Sequence, residues 1–143
     1  MRLRVQRLDE AAILPTVAHE GDAGYDLYAI EAAELGPGER AMIRTGIAIE
    51  VSNGHAALVV PRSGTAARNG ISVVNAPGLI DSGYRGEIRV LLLNTDRSEP
   101  FAIAPGDRIA QLILVRVETP PVEEVGGLRD SARGEGGFGS SGR

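Results

Sequence analysis

Along most of this 143-residue chain, apolar residues recur with a period of two rather than 3.6, and that spacing most constrains the fold. "LRVQRL" (3–8) alternates, "HAALVV" (55–60) and "EIRVLLL" (87–93) are short apolar runs, and "RIAQLILVRVE" (108–118) is a longer one rich in branched residues. The turn signals "LGPGER", "VSNG", "NAPG" and "APGD" separate them. Many short strands punctuated by Gly and Pro predict an all-β barrel or sandwich. The one segment with helical character is "SGTAARNG" (63–70), where Ser63 is expected to cap one or two turns and Gly70 to end them. After Glu118 the strand pattern stops, and the Pro-, Gly- and charge-rich remainder cannot form a core. A single domain over residues 1–118 and an arm over 119–143 are therefore expected.

Composition narrows the function. Without Cys, the chain has neither a disulfide framework nor a thiolate metal site, and His19 and His55 lack ligand spacing. A net charge of −4 argues against a nonspecific nucleic-acid binder. The opening "MRLRVQRLDE" has no secretory apolar stretch, and no run approaches the roughly 20 apolar residues of a membrane span. A cytoplasmic protein, with no nucleic-acid or membrane partner, is expected. All fifteen basic residues are Arg, so any phosphate must be held by Arg, backbone amides or a metal.

Five stretches look too specific for ordinary β-turns. In "AGYDLYA" (23–29), Asp26 sits in a strand-like run; it is either an outward-facing solvated residue or a carboxylate that holds Mg²⁺ through water. "PRSGTAARNGI" (61–71) places Arg62, Ser63 and Gly64 where a strand passes into a helix, which is either a plain Ser cap or an anion site. "NAPGLIDSGYRGE" (75–87) reads as an irregular hairpin. Its Asp81 is either a turn residue bonding its own backbone or a general base beside the aromatic Tyr84. "GDRIAQL" (106–112) carries Gln111 in an apolar strand, half-exposed by alternation or aimed into a site. Last, "RGEGGFGSSGR" (133–143) is Gly-rich yet holds Arg133 and Phe138, one of only two Phe.

In this order and with this chemistry, the five stretches resemble the motifs of the trimeric deoxyuridine triphosphate nucleotidohydrolases (dUTPases), and they span most of the chain. The resemblance implies a jelly-roll-like β-barrel with a flexible C-terminal arm. It also implies hydrolysis of dUTP to dUMP and pyrophosphate, keeping uracil out of DNA and supplying dUMP for thymidylate synthesis. Asp26 matches the first-motif acid that meets Mg²⁺ through water. Arg62, Ser63 and Gly64 match the second motif, which contacts phosphate near the bond to be cut. Asn75, Gly78, Leu79, Ile80, Asp81 and Tyr84 match the third: backbone groups and Asn75 read uracil, Asp81 orients the attacking water, and Tyr84 packs under the deoxyribose. Gln111 matches the fourth-motif amide near the α-phosphate, making Asp81, Gln111 and Ser63 the implied catalytic group. Arg133, Gly137, Phe138, Gly139 and Ser140 match the fifth motif, in which Arg133 reaches the γ-phosphate and Phe138 stacks on uracil.

Family members are homotrimers, so the resemblance further implies three shared sites, each closed by the arm of a neighbouring subunit. Gly83 departs from the family pattern, which often has an acid or Asn there, and is expected to loosen the side-chain bonding of the turn while leaving Asp81 and Tyr84 intact. The alternatives are a dCTP deaminase-like enzyme or a non-catalytic nucleotide-sensing trimer. A deaminase would carry Trp in place of Tyr84 and a catalytic Glu further from the hairpin than Glu87; a pure sensor need not keep a water-positioning acid.

Overall fold

The computed structural model describes residues 2–137, and within them the period-two segments become strands. The "LRVQRL" run forms β1 (Arg4–Arg7), followed by β2 (Tyr25–Tyr28), β3 (Ala33–Leu35), β4 (Arg40–Arg44) and β5 (Ile47–Glu50). "HAALVV" is β6 (His55–Val60) from end to end. After the helix α1 (Ser63–Asn69) come β7 (Ile71–Val73), β8 (Gly78–Ile80), β9 (Arg89–Asn94), β10 (Phe101–Ile103) and the long β11 (Arg108–Arg116).

The fold is the expected all-β, jelly-roll-like one, with one correction. Its strands do not close into a barrel. Among the described residues, antiparallel ladders form a four-stranded sheet (β2-β11-β6-β8), a three-stranded sheet (β4-β9-β7) and the pairs β1-β5 and β10-β3. Apart from the nine-residue β11, each strand ends after a few residues at a loop or turn, so the ladders stop before they can join.

What unites the sheets is a single apolar core. Leu27, Leu35, Ile43, Ile47, Leu92 and Leu112 are fully buried within it. Each such side chain contributes roughly 1.5–3 kcal/mol of burial. The buried polar groups are paired: Thr45 Oγ1 donates to the Ile88 carbonyl at 2.6 Å, and Asn94 Nδ2 donates to the carbonyls of Leu35 and Glu99. Asn94 Oδ1 in turn accepts from the Asp96 amide.

The helix ends where expected, since Gly70 adopts φ 65° and returns its N–H to the Ala66 carbonyl. It does not begin as expected. Arg62 is the N-cap residue, in extended conformation, and no side chain caps the helix. Ser63 already belongs to the first turn, so its hydroxyl is not placed to cap the amides.

Beyond β11 the described chain has no strand or helix, and residues 116–135 are exposed. No helix among the described residues is long and apolar enough to cross a membrane.

Candidate active site

Two groups of expected site residues form at different places on the four-stranded sheet. The first is centred on Asp26. It is not the outward-facing strand residue that alternation allows: it is only 2% exposed. Such a carboxylate needs partners. Arg62 Nε donates to Oδ1 at 3.2 Å, Arg108 Nη1 to Oδ2 at 3.3 Å, and Gln111 Nε2 to Oδ1 at 3.4 Å. Gln111 is placed by register, lying opposite Asp26 on one side and Val60 on the other. Arg62 also donates through Nη1 to the Arg108 carbonyl at 3.3 Å, tying the helix entry to β11.

Next to this cluster is the start of α1. The first helical bond runs from the Ala66 amide to the Arg62 carbonyl, leaving the amides of Ser63, Gly64 and Thr65 outside the helix ladder. With one carboxylate, two guanidinia and free amides, the group carries a net positive potential suited to an anion. It is not a metal cage. Among the described residues no three His, Cys, Asp or Glu converge, and three donors already engage the only carboxylate of the cluster. Asp26 Oδ2, with Arg108 as its one donor among the described residues, keeps capacity for one further contact, which fits a water of a hydrated Mg²⁺ better than direct ligation.

The second group surrounds β8. This strand pairs with β6 through Ala57↔Ile80, Leu58↔Leu79 and Val59↔Gly78, and it is the edge of its sheet. Gly78 and Ile80 point inward while Leu79 is 63% exposed. A pocket of about 180 Å³ lies beside it, lined in part by Asn75, Gly78, Leu79, Ile80, Asp81 and Tyr84. Gly78 faces the Asn75 amide so closely that a Cβ would come within 3.3 Å of Nδ2. A turn follows, in which the Tyr84 amide donates to the Asp81 carbonyl at 3.1 Å. The Asp81 carboxylate is exposed and makes no hydrogen bond among the described residues, so it is not a turn Asp bonding its own backbone. Tyr84 Oη donates to the Glu87 carbonyl at 3.0 Å. At the free side of the hairpin, Arg85 Nη1 bonds the carbonyls of Ser82 and Tyr84, while Gly83 faces open space.

Sequence reasoning missed two features. Arg108 stands inside the quoted "GDRIAQL" but was not read as a site residue. Glu87 also lines the pocket, and its carboxylate accepts from Arg44 Nε at 3.1 Å, Arg89 Nε at 3.0 Å and the Gly46 amide at 2.9 Å. Burial pushes this carboxyl up, but the Gly46 amide and the two guanidinia outweigh it and hold Glu87 below its ordinary value. A carboxylate engaged in this way is poorly placed to carry protons for a deaminase.

Of the fifth stretch, residues 133–137 are described, Arg133 and Gly137 among them: Arg133 Nε donates to the Gly136 carbonyl at 2.7 Å within its own turn. Phe138, Gly139 and Ser140 lie outside the described residues.

Comparison with known proteins gives a consistent result. The dUTPase family model matches residues 10–142. The deoxyuridine 5'-triphosphate nucleotidohydrolase of Thermobifida fusca (strain YX) is 58% identical over 142 residues, covering 99% of this chain and 79% of that protein. Its counterpart from Mycolicibacterium gilvum (strain PYR-GCK) is 55% identical over 145 residues, covering 98% and 94%. Among solved structures, Staphylococcus bacteriophage 80alpha dUTPase with dUPNHPP superposes with a TM-score of 0.93 at 31% identity over 99% of both chains. A mutant dUTPase from phage phi11 of S. aureus, solved to show coordination of a structural Mg(II) ion, has a TM-score of 0.83 at 27% identity, covering 91% of this chain and 100% of that one.

Proposed function

Because this chain belongs to the dUTPase family, we propose how its residues divide the hydrolysis of dUTP to dUMP and pyrophosphate. The observation that carries the proposal is the free Asp81 carboxylate at a pocket beside an open strand edge.

Uracil enters beside β8, where unpaired backbone groups and Asn75 meet its pairing edge. Thymine differs by one methyl and is refused by clash with the hairpin. Cytosine presents an amine where uracil presents a carbonyl, leaving site groups unpaired, a mismatch of roughly 10⁴-fold or more. Tyr84 lies under the sugar and leaves no room for a ribose 2′-hydroxyl. Asp81 then positions, and as a base deprotonates, a water for in-line attack on the α-phosphorus. Gln111 and Ser63 orient the α-phosphate, while Arg62 and the free amides of Ser63 and Gly64 offset charge on its oxygens. Asp26 would hold Mg²⁺ through water, and the ion would supply further charge neutralisation there.

A pocket of about 180 Å³ is smaller than the roughly 300–1,000 Å³ of sites that enclose a whole ligand, so it suits a base and part of a sugar. Its lining includes none of Asp26, Arg62 or Gln111. That separation supports a homotrimer in which one subunit contributes Asp26, Arg62, Ser63, Gly64 and Gln111, and a second contributes the β8 hairpin. The arm of the third, residues 119–143, closes with Arg133 on the γ-phosphate and Phe138 on uracil. The reading includes work in the cytoplasm, where a deoxynucleotide pool would supply the substrate.

The test is pyrophosphate release from dUTP, dTTP, dCTP and UTP, with and without Mg²⁺, alongside light scattering. Rapid turnover of dUTP alone by a trimer is expected. Comparable turnover of all four would reject the specificity scheme, and a fully active monomer would reject the shared site.

A further inference from the structure

Glu87 lies just past the hairpin, takes no part in the chemistry above, and is nonetheless the most heavily bonded acid near the pocket. Its side chain is 10% exposed. The two arginines that hold it, Arg44 on β4 and Arg89 on β9, are direct cross-strand partners. Like charges placed opposite one another destabilise a ladder, and the Glu87 carboxylate between them removes that repulsion. Its third donor, the Gly46 amide, belongs to the short connection between β4 and β5, which is closely packed. Gly46 has φ 67°, and a Cβ there would stand 3.0 Å from Ala12, Asp9 and Ile30.

The same residue holds Tyr84 from its other end. The Tyr84 hydroxyl donates to the Glu87 carbonyl, and its ring passes over Gly86 so closely that a Cβ on Gly86 would collide with the hydroxyl. Tyr84 is 46% exposed, and the neighbouring Gly83 contributes no packing. The hydroxyl bond is therefore a principal constraint on the ring among the described residues.

We propose that Glu87 is a positioning residue for sugar selection: its carboxylate, clamped by Arg44, Arg89 and Gly46, fixes the backbone carbonyl that aims Tyr84, and so sets how firmly the site refuses a ribose. This rests on the reading of Tyr84 as the wall beneath the sugar. Base selection has a different source, the edge of β8, which pairs with β6; Glu87 and Arg89 line the same pocket, but none of the clamp's hydrogen bonds runs to β8. The two selectivities should therefore separate when the clamp is loosened.

The experiment compares kcat/KM for dUTP, UTP and dTTP in the wild type, Glu87→Gln, Arg89→Gln, Tyr84→Phe and Tyr84→Ala. Glu87→Gln is expected to lower the dUTP/UTP ratio by roughly tenfold, the scale of one methylene of steric discrimination. The dUTP/dTTP ratio should hold within about twofold. Tyr84→Phe should lose sugar selectivity in the same direction, and combining it with Glu87→Gln should add little, because both cut one linkage. Arg89→Gln gives a smaller shift of the same sign and serves if Glu87→Gln does not fold. If Tyr84→Ala relaxes sugar selection while Glu87→Gln and Arg89→Gln leave it intact, or lower both ratios equally, the proposal is overturned alone. If Tyr84→Ala still excludes UTP, the sugar-wall reading falls and the proposal falls with it.

Discussion

Asp26 on β2 and Gln111 on β11 are direct cross-strand partners, and the amide donates to a carboxylate that Arg62 and Arg108 also hold. The acid thus sets the positions of Arg62, Arg108 and Gln111, of which the proposed scheme brings Arg62 and Gln111 to phosphate. Breaking a buried ion pair costs about 3–5 kcal/mol. Here the Arg62 side chain is 25% exposed and that of Arg108 48%, so water screens part of the loss. Asp26→Asn should therefore cost about 1–3 kcal/mol, lowering Tm by roughly 3–10 °C in a chain of this size. Differential scanning calorimetry checks this, and an unchanged Tm would mean that the ion pairs contribute nothing.

The carboxylate of Asp81 stands free at the pocket, so Asp81→Asn should leave binding nearly intact while removing the base. Affinity for a non-hydrolysable dUTP analogue should stay within a few-fold of wild type by titration calorimetry. Turnover should fall by about 10²–10⁴, the usual contribution of a positioned base. Wild-type pyrophosphate release by the variant would remove Asp81 from the chemistry.

Alternation and turn chemistry made the strands legible: "HAALVV" is β6 residue for residue, "RIAQLILVRVE" is β11 but for its last two residues, and Gly70 ends the helix as its position indicates. Motif order singled out Asp26, Gln111 and the β8 hairpin as candidates, and the structure brings Gln111 onto Asp26 and gathers the hairpin around one pocket. Arg108 was not, for a definite reason. By strict alternation it faces away from Gln111, three positions on. The register of β11 against β2 slips between Arg108 and Ala110, and this bulge reverses the parity and turns Arg108 toward Asp26. In a run as apolar as "RIAQLILVRVE" such a slip of phase does not stand out. Glu87 was hidden differently, because its partners Arg44 and Gly46 are distant in sequence and meet it only after β4, β5 and β9 assemble. Ser63 shows a third limit: a Ser before a helix looks like a cap whichever residue actually occupies the N-cap position.

The clamp on Glu87 also predicts an acid limb in the stability profile. The folded protein holds this carboxyl below its ordinary value of 4.5. A group depressed in this way contributes stability that is fully present above the unfolded value and lost as pH falls through the folded one. The Tm difference between wild type and Glu87→Gln should therefore be widest near pH 7 and shrink below about pH 4.5. Arg44 and Arg89 remain charged throughout this range, and Asp9 and Glu31, which also face Arg44, are common to both proteins, so the difference isolates Glu87. A gap that stays constant from pH 7 to pH 3 would show that the charge of Glu87 is not what holds the clamp.

The arm should matter for turnover and not for folding. Residues 116–135 are exposed, Val122 and Leu128 almost completely, and Arg133 bonds only within its own turn among the described residues. Deleting 133–143 therefore removes no described part of the core, and Tm should change by less than about 2 °C, a fraction of a kcal/mol. The proposed contacts are of another size: a charge-assisted bond from Arg133 to the γ-phosphate at about 1.5–3 kcal/mol, and stacking of Phe138 on uracil at about 1–3 kcal/mol. Ordering the Gly-rich segment offsets part of their sum. The net effect on kcat/KM for dUTP should be a loss of roughly 10²-fold, with the oligomer unchanged by light scattering. Arg133→Ala should retain the stacking share and lose less than the full deletion. A truncated protein with full activity would show that the arm does not close over the site.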